Sequence, residues 1–461
     1  MKRLVVIGLD CLTPQWALEA WLEDMPNLKR LAEGGVAGRL RSTIPPITVP
    51  AWTAMMTSQD PGMLGVYGFR NRSSYEYDSL QVANASAIKA RTVWNYLSRN
   101  RLKSLVMGIP QTYPPKPLNG IMVSGFMTPS KEATFTYPEG VQELLDQAAG
   151  GEYVIDVKDF RTEDKAALLE SVKKMTAARF RAFRALLRTD DFDFAMMVEM
   201  GPDRLHHGFW RFCDPTHRLY EEGNPFADVL HDYYVELDEE IGKTAEAAGD
   251  GASLMVVSDH GAKAMEGAIC INEWLQEAGY LKLKERPAER TRLTADMIDW
   301  PNTKAWGEGG YYGRLFLNVS GREPDGCIPP GAYESVRDEV KAGLEALGDE
   351  EGKSIGTRIF RPEEVYREIN NIPPDLIVYF GDLDWRSAGS VGVGSVHLRE
   401  NDTGPDDANH LPDGVFVWDP GAAMRELLRR QERYQIYDVA PSILKFFGVG
   451  VPDDMIGQPI I

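Results

Sequence analysis

Cysteine is scarce in this chain, positive charge is in deficit and no long apolar run occurs. Each shortage excludes something. Four cysteines in 461 residues, Cys11, Cys213, Cys270 and Cys327, are scattered without metal or redox spacing, so reduced thiols and a cytoplasmic location are expected. Lys+Arg 50 against Asp+Glu 69 leaves a formal net charge of −19. That balance argues against a polyanion-binding surface, so nucleic-acid polymers are not expected as partners, while a small anion held at a local cationic site remains compatible. No apolar stretch approaches the roughly 20 residues needed to span a bilayer. The run after Lys2-Arg3 is too short for a signal h-region and stops on Asp10, so it reads as a first strand. Internal repeats and low-complexity segments are also missing.

What the chain does have is alternation. Leu4 to Leu9, Lys103 to Ile109, Phe192 to Met200 and Leu254 to Val257 are apolar, branched runs of strand length, with Ile121 to Ser124 a further candidate. Between them, helical spacing covers Pro14 to Leu22, Pro26 to Ala32, Ile88 to Asn100, Pro138 to Ala149, Thr162 to Leu187 and Phe226 to Ala248, with Tyr437 to Phe447 as a closing helix. The pattern predicts an α/β fold with a mostly parallel central sheet flanked by helices. From about Lys263 the rhythm changes, with a charged stretch, a Gly307-Glu308-Gly309-Gly310 segment, short strands at Arg314 to Asn318 and Leu376 to Phe380, and a helix Tyr333 to Leu347. We expect residues 1–262 and 396–461 to form the core, and 263–395 an inserted lid or cap that partly extends the sheet and partly covers the site.

In open parallel sheets, functional residues lie beyond the carboxyl ends of the strands. Asp10 follows the first strand, Gly201-Pro202-Asp203-Arg204-Leu205-His206-His207 follows another, and Ser258-Asp259-His260-Gly261 follows the run at Leu254. Asp203 and His207 are four apart, so on one helical turn they share a face and can grip one ion, with His206 directed elsewhere. His410 enters just before another strand. With Asp10, Asp259 and His260 the inventory is three carboxylates and three imidazoles, a donor set that suits divalent zinc, with manganese or iron also possible. Thr48 precedes a helix expected over Ala51 to Met56, where unpaired N–H groups favour an anion; an N-cap role is the alternative. Two ions about 4 Å apart can stabilise both the attacking and the leaving oxygen of an in-line phosphoryl displacement, and Thr48 would be one more oxygen ligand.

These residues stand in blocks that resemble a known family. Val5-Ile7-Gly8-Leu9-Asp10, Pro45-Pro46-Ile47-Thr48-Val49-Pro50-Ala51-Trp52-Thr53, Asp203-x-x-x-His207, Ser258-Asp259-His260-Gly261, His410 with Asp413-Gly414-Val415-Phe416, and Asp438-Val439-Ala440-Pro441 with a Met-x-Gly tail run nearly end to end. The chain is similar to the alkaline phosphatase superfamily, nearest its type I phosphodiesterase/nucleotide pyrophosphatase branch and bacterial phosphohydrolase/phosphomutase-like relatives. The resemblance implies a two-metal phosphoester hydrolase acting on a small phosphorylated substrate, more on a diester or pyrophosphate than a monoester. It implies that Asp203, His207 and His410 hold one metal and that Asp10, Asp259 and His260 hold the other. Thr48 would be the metal-bound nucleophile, passing through a phosphothreonine intermediate. No oligomeric state is implied.

Departures and rivals are specific. Leu64-Gly65 stands where relatives often carry His-Gly, and His397 is a second candidate for the role given to His410. His217 and His231 read as structural, and Trp306, Tyr311 and Tyr312 either stack on a substrate base or sugar or pack internally. A phosphomutase on the same scaffold would return the phosphoryl group to substrate. A non-catalytic phospho-ligand binding protein would lack turnover altogether. A sulfatase needs a Cys or Ser at the position of Thr48 and an Arg at that of Trp52.

Overall fold

Successive side chains of an extended strand point to opposite faces of a sheet, so a strand with no polar position is stable only where both faces are covered. The computed structural model describes residues 2–461, and all counts here are of those residues. Nine strands form the central sheet: Leu4–Leu9 (β1), Val36–Arg41 (β2), Ser104–Met107 (β3), Gly120–Val123 (β4), Thr136–Tyr137 (β5), Phe194–Glu199 (β6), Ser253–Val257 (β7), Asp413–Asp419 (β8) and Arg433–Gln435 (β9). Their order is β9-β2-β8-β7-β1-β6-β3-β4-β5. β1, β6 and β7 are buried at every position and lie together at the centre, all parallel. Only β8, against β7 and β2, and β5, against β4, run antiparallel.

Burial alternates as the pleat requires. Val5, Ile7 and Leu9 join Met197 and Val256 in one core, whereas Leu4 and Val6 join Met196, Val198 and Val257 in the other. Helices cover both faces: Thr48–Thr57 (α1), Lys165–Leu187 (α2), Gly201–Cys213 (α3), Val229–Ala248 (α4) and Val439–Phe446 (α5). Phe180 and Phe183 of α2, Phe209 of α3 and Leu237 of α4 fill the first core; Trp52 and Met55 of α1 and Ile443 of α5 fill the second. The mostly parallel α/β architecture expected from the sequence is the observed one.

Three differences are informative. β2 was not expected: in Val-Ala-Gly-Arg-Leu-Arg only Val36 and Leu40 are buried, and its stability comes from pairing with β8 and β9 at the far end of the chain. α1 begins at Thr48 rather than at Ala51, because Pro50 lies in the first turn, where a missing N–H leaves no intrahelical acceptor unserved. The division of the chain also differs. One compact unit comprises Met1–Leu64, Ala83–Ala262 and His410–Ile461, and the other Gly65–Val82 and Lys263–Asn409.

The second unit therefore takes in more than residues 263–395, and none of its strands extends the nine-stranded sheet. It builds its own antiparallel sheet from Ala305–Glu308, Gly313–Leu317, Leu376–Tyr379 and Arg358–Phe360, over a core that includes Ile269, Leu315, Leu317, Val340 and Val378. Residues 65–82 belong to it through contacts that include the buried Arg72–Glu323 pair at 3.1 Å and the hydrogen bond from Tyr77 O–H to Asn318 at 2.9 Å. The stretch after 395 belongs through His397 and Leu398, which pair with Ile269 and Ala268.

The turn from β6 into α3 rests on a buried acid. Glu199 Oε1 accepts from Gly201 N at 2.9 Å and Thr176 Oγ1 at 3.2 Å, and its other oxygen lies 3.7 Å from Arg179 Nε. Arg179 in turn donates to Val198 O at 3.0 Å and Ile155 O at 2.5 Å. Arg179→Met strips a buried carboxylate of its counter-charge and should lower stability by about 3–5 kcal/mol. Urea unfolding measures this, and a loss below about 1 kcal/mol, the range of an exposed ion pair, would contradict the placement.

Candidate active site

Four strands deliver the site. Asp10 follows β1, Asp203 and His207 sit on α3 directly after β6, Asp259 and His260 follow β7, and His410 stands three residues before β8. Thr48 is the first residue of α1. All seven residues are buried. They converge: Thr48 Oγ1 lies 3.3 Å from His260 Nε2, His260 Nε2 lies 3.1 Å from Asp259 Oδ2, and the His260 and His410 rings stack with centroids 3.9 Å apart. Asp203 Oδ1 is 3.3 Å from His207 Nε2 and 3.8 Å from His410 Nε2.

Two trios have ligand atoms all within 4.8 Å of one another, Asp10/Asp259/His260 and Asp203/His260/His410. Each spacing is one that a single cation can bridge. The first trio has the membership expected from the sequence. In the second, His260 is the close third member, and His207 approaches through Asp203, its ring 5.4 Å from that of His410.

The imidazoles are aimed by what their other nitrogens touch. His410 Nδ1 is 2.8 Å from Pro46 O, and His260 Nδ1 is 3.2 Å from Gly261 O. A carbonyl can only accept, so Nδ1 carries a proton in both rings and Nε2 is the nitrogen turned to the cluster, the orientation a metal ligand needs. His206 is turned away: its Nε2 meets Tyr234 O–H at 3.0 Å, and burial pushes its pKa down to about 3. His397 lies in the second unit with Nε2 2.8 Å from Gly348 O and belongs to neither trio. His231 pairs with Asp24 at 3.1 Å, and His217 Nδ1 accepts from Leu219 N at 3.1 Å, as suits structural histidines.

Electrostatics shows how strongly the cluster's charges act on one another. Burial, then repulsion from Asp259 and Asp203, holds the Asp10 carboxyl well above the usual carboxylate range. Burial raises Asp259 as well. Burial acts on Asp203 in the same sense, but His207 and Arg204 outweigh it and hold that carboxyl well below its ordinary value. For His260, burial is overcome by Asp259, Asp10 and Asp203, which lift it to about 9. Burial, then the neighbouring His260 and His207, keeps His410 well below an ordinary imidazole. Asp10 Oδ1 is buried with no hydrogen-bond partner among the described residues. Carboxylates crowded this way, facing imidazole nitrogens, are a donor set matched to divalent cations.

Three contributors had no role in the sequence reading. Trp52 Nε1 donates to Asp10 Oδ2 at 2.6 Å. It lies four residues after Thr48 on the same helix, a spacing that could have drawn notice. Its indole fits because residue 8 is glycine: a Cβ there would stand 2.6 Å from the Trp52 ring. Arg204 bonds Asp203 and spans Asp156 with contacts of 3.1 and 2.7 Å; nothing short-range signals that pairing. Cys11 N donates to Asp259 Oδ1 at 3.2 Å.

Known proteins bear out the architecture. The structure of human ectonucleotide pyrophosphatase/phosphodiesterase 5 aligns with 98% of this chain and 96% of its own, at a TM-score of 0.56 and 12% identity. Phosphonoacetate hydrolase from Sinorhizobium meliloti 1021, in complex with phosphonoformate, aligns over 91% and 90% with a TM-score of 0.60 and 18% identity. The murine ectonucleotide pyrophosphatase/phosphodiesterase 5 in complex with AMP aligns over 98% and 96%, at 0.56 and 11%. At such identities these likenesses establish the fold. None of the curated proteins compared with the chain matches it. The sequence model of the type I phosphodiesterase / nucleotide pyrophosphatase family does match, over residues 4–406, a span that opens at β1 and includes six of the seven clustered residues, and the chain belongs to that family.

Proposed function

We propose that this protein is a metal-dependent phosphoester hydrolase, acting on small phosphodiesters or nucleotide pyrophosphates, with Thr48 as nucleophile. The observation that carries the reading is the position of Thr48 Oγ1, 3.3 Å from His260 Nε2, the nitrogen of the one residue common to both trios. We assign Asp10, Asp259 and His260 to one cation, and Asp203, His207 and His410 to the other, with Thr48 beside them. The nitrogen and oxygen donors favour zinc, with manganese or iron as alternatives. Bound there, two divalent ions would supply charge neutralisation and Lewis acidity for a phosphoryl group.

The chain's own residues do the rest. Thr48 Oγ1 gives up its proton and forms the new bond to phosphorus as the ester oxygen departs and takes up a proton, leaving phosphothreonine; water then adds its oxygen to phosphorus, and its protons restore the Thr48 hydroxyl and the released phosphate. A threonine hydroxyl is a weak nucleophile unless activated. Burial of Thr48 fixes its direction of attack, and placement at the first position of α1 sets the helix amino end against the developing charge on the phosphoryl oxygens. Pro46 O and Gly261 O hold His410 and His260 in one orientation. Trp52 and Cys11 N hold Asp10 and Asp259 in place, and Arg204 orients Asp203.

Membership of a phosphodiesterase family favours hydrolysis over return of the phosphoryl group to substrate, so the phosphomutase alternative ranks below it. We infer a cytoplasmic location from the four cysteines, all free thiols. No helix among the described residues is long and apolar enough to cross a membrane.

Three outcomes follow. Chelation should abolish turnover of bis-p-nitrophenyl phosphate, and zinc or manganese should restore it; full turnover in metal-free protein would overturn the reading. Thr48→Ala should bind metal as before yet lose turnover by at least about 10³-fold; unchanged turnover would remove Thr48 from the chemistry, and tight metal with no turnover in either form would favour a binding protein. Trp52→Phe keeps an aromatic ring in the core but deletes the bond to Asp10, and should weaken metal affinity by about 10- to 100-fold, as loss of a ligand's supporting hydrogen bond typically does. Competition with a chromogenic chelator measures this, and an unchanged affinity would make Trp52 a packing residue alone.

A further inference from the structure

Asp203 is the acid that the two-cation reading groups with His207 and His410, and its two oxygens are used differently. Oδ1 faces the imidazoles, 3.3 Å from His207 Nε2 and 3.8 Å from His410 Nε2. Oδ2 accepts from Arg204 Nη1. A guanidinium carries its N–H donors in a rigid fork and stays charged at any ordinary pH. Arg204, only 4% exposed, is therefore both the partner of Asp203 and a hazard to it. Left free, its forked edge would close on both oxygens of Asp203, the bidentate geometry that arginine and carboxylate favour. Its charge would then stand unbalanced beside the donors meant for a cation.

Asp156 occupies that edge. Its Oδ1 accepts from Arg204 Nε at 3.1 Å and its Oδ2 from Arg204 Nη2 at 2.7 Å, so Nη1 is what meets Asp203. The Asp156 carboxylate is itself aimed, because Val157 N donates to its Oδ1 at 2.9 Å. The carbonyls of the two preceding residues, Val154 O and Ile155 O, accept from Arg179 Nη2 of α2 at 3.2 and 2.5 Å. The rings of Phe126 and Phe160 lie against the guanidinium, their centroids 5.1 and 4.6 Å from its carbon. Tethering this segment does not require Arg204, since Arg179 already holds its backbone.

The charges explain what the pairing is for. Arg204 cancels the one carboxylate that this cation would receive, and Asp156 restores the balance from outside the cluster. We propose that Asp156 is a positioning residue for the cation held by Asp203, His207 and His410: it engages the forked edge of Arg204, offsets its charge and keeps Asp203 Oδ1 open to the ion. The proposal rests on the two-cation reading and adds to it a residue that acts through another, as outer partners of metal ligands do.

Calorimetric titration of the full chain, freed of metal by chelation, with zinc tests this without recourse to turnover. Wild type should bind two ions, and His207→Ala identifies the event that belongs to Asp203 by weakening it. Asp156→Asn keeps the side chain's shape and one acceptor but removes its charge. It should weaken that event about tenfold, the lower end of what loss of an outer partner costs a bound metal, and leave the other event within about threefold of wild type. In an Arg204→Met background the same Asp156→Asn change should move the event by less than about threefold, because the guanidinium through which Asp156 acts is gone. That second pair leaves no buried guanidinium unbalanced, so it carries the test even where Asp156→Asn alone does not fold. Fewer than two zinc ions on wild type would overturn the two-cation reading and the proposal together. Two ions on wild type, with Asp156→Asn unchanged, with both events weakened alike, or with the full loss persisting in the Arg204→Met background, would overturn the proposal alone.

Discussion

Three carboxylates share one buried volume with three imidazoles, and the rest of the first unit is arranged to hold them there. Left to themselves, Asp10, Asp203 and Asp259 repel across the cluster, and burial penalises every charge they carry. The chain contains the strain by pairing: Arg204 and His207 on Asp203, the Trp52 indole on Asp10, His260 on Asp259. Two buried carboxylate oxygens, Asp10 Oδ1 and Asp259 Oδ2, stay without a hydrogen-bond partner among the described residues. A pair of dications would discharge the repulsion and coordinate those oxygens, which is why we propose a metal centre rather than a structural polar network.

The sheet makes such a cluster possible. Strands buried on both faces supply rigid ends at fixed spacing, and the parallel set β7-β1-β6 points three of those ends the same way. Glycine at position 8 matters for the same reason: it opens the room in which Trp52 packs on β1 and reaches Asp10, coupling the helix that begins at Thr48 to the strand that ends at the acid. That contact thus couples the strand end to the helix that begins at Thr48.

Much of this was legible in the sequence, for identifiable reasons. Apolar runs at Leu4, Phe194 and Leu254 announce buried strands because nothing else tolerates them, and acids and histidines placed directly after them announce the site. The i, i+4 relation of Asp203 and His207 needs only a helix. Contacts across long sequence distances were not legible: β2 is half-exposed and has partners more than 370 residues away, Arg204 finds Asp156 across α2 and β6, and residues 65–82 join the second unit through contacts such as Arg72 with Glu323 and Tyr77 with Trp300, each more than 200 residues on. The same long-range pairing gives the second unit a sheet of its own instead of an extension of the first.

Family membership, fold and cluster geometry point the same way, and the central claim is that two cations sit beside Thr48. Crystals grown with zinc and measured on either side of the zinc absorption edge test it most directly. The account predicts two anomalous peaks about 4 Å apart, one among Asp10, Asp259 and His260 and the other among Asp203, His207 and His410. An absence of anomalous density at the cluster, with zinc bound elsewhere on the chain, would contradict it.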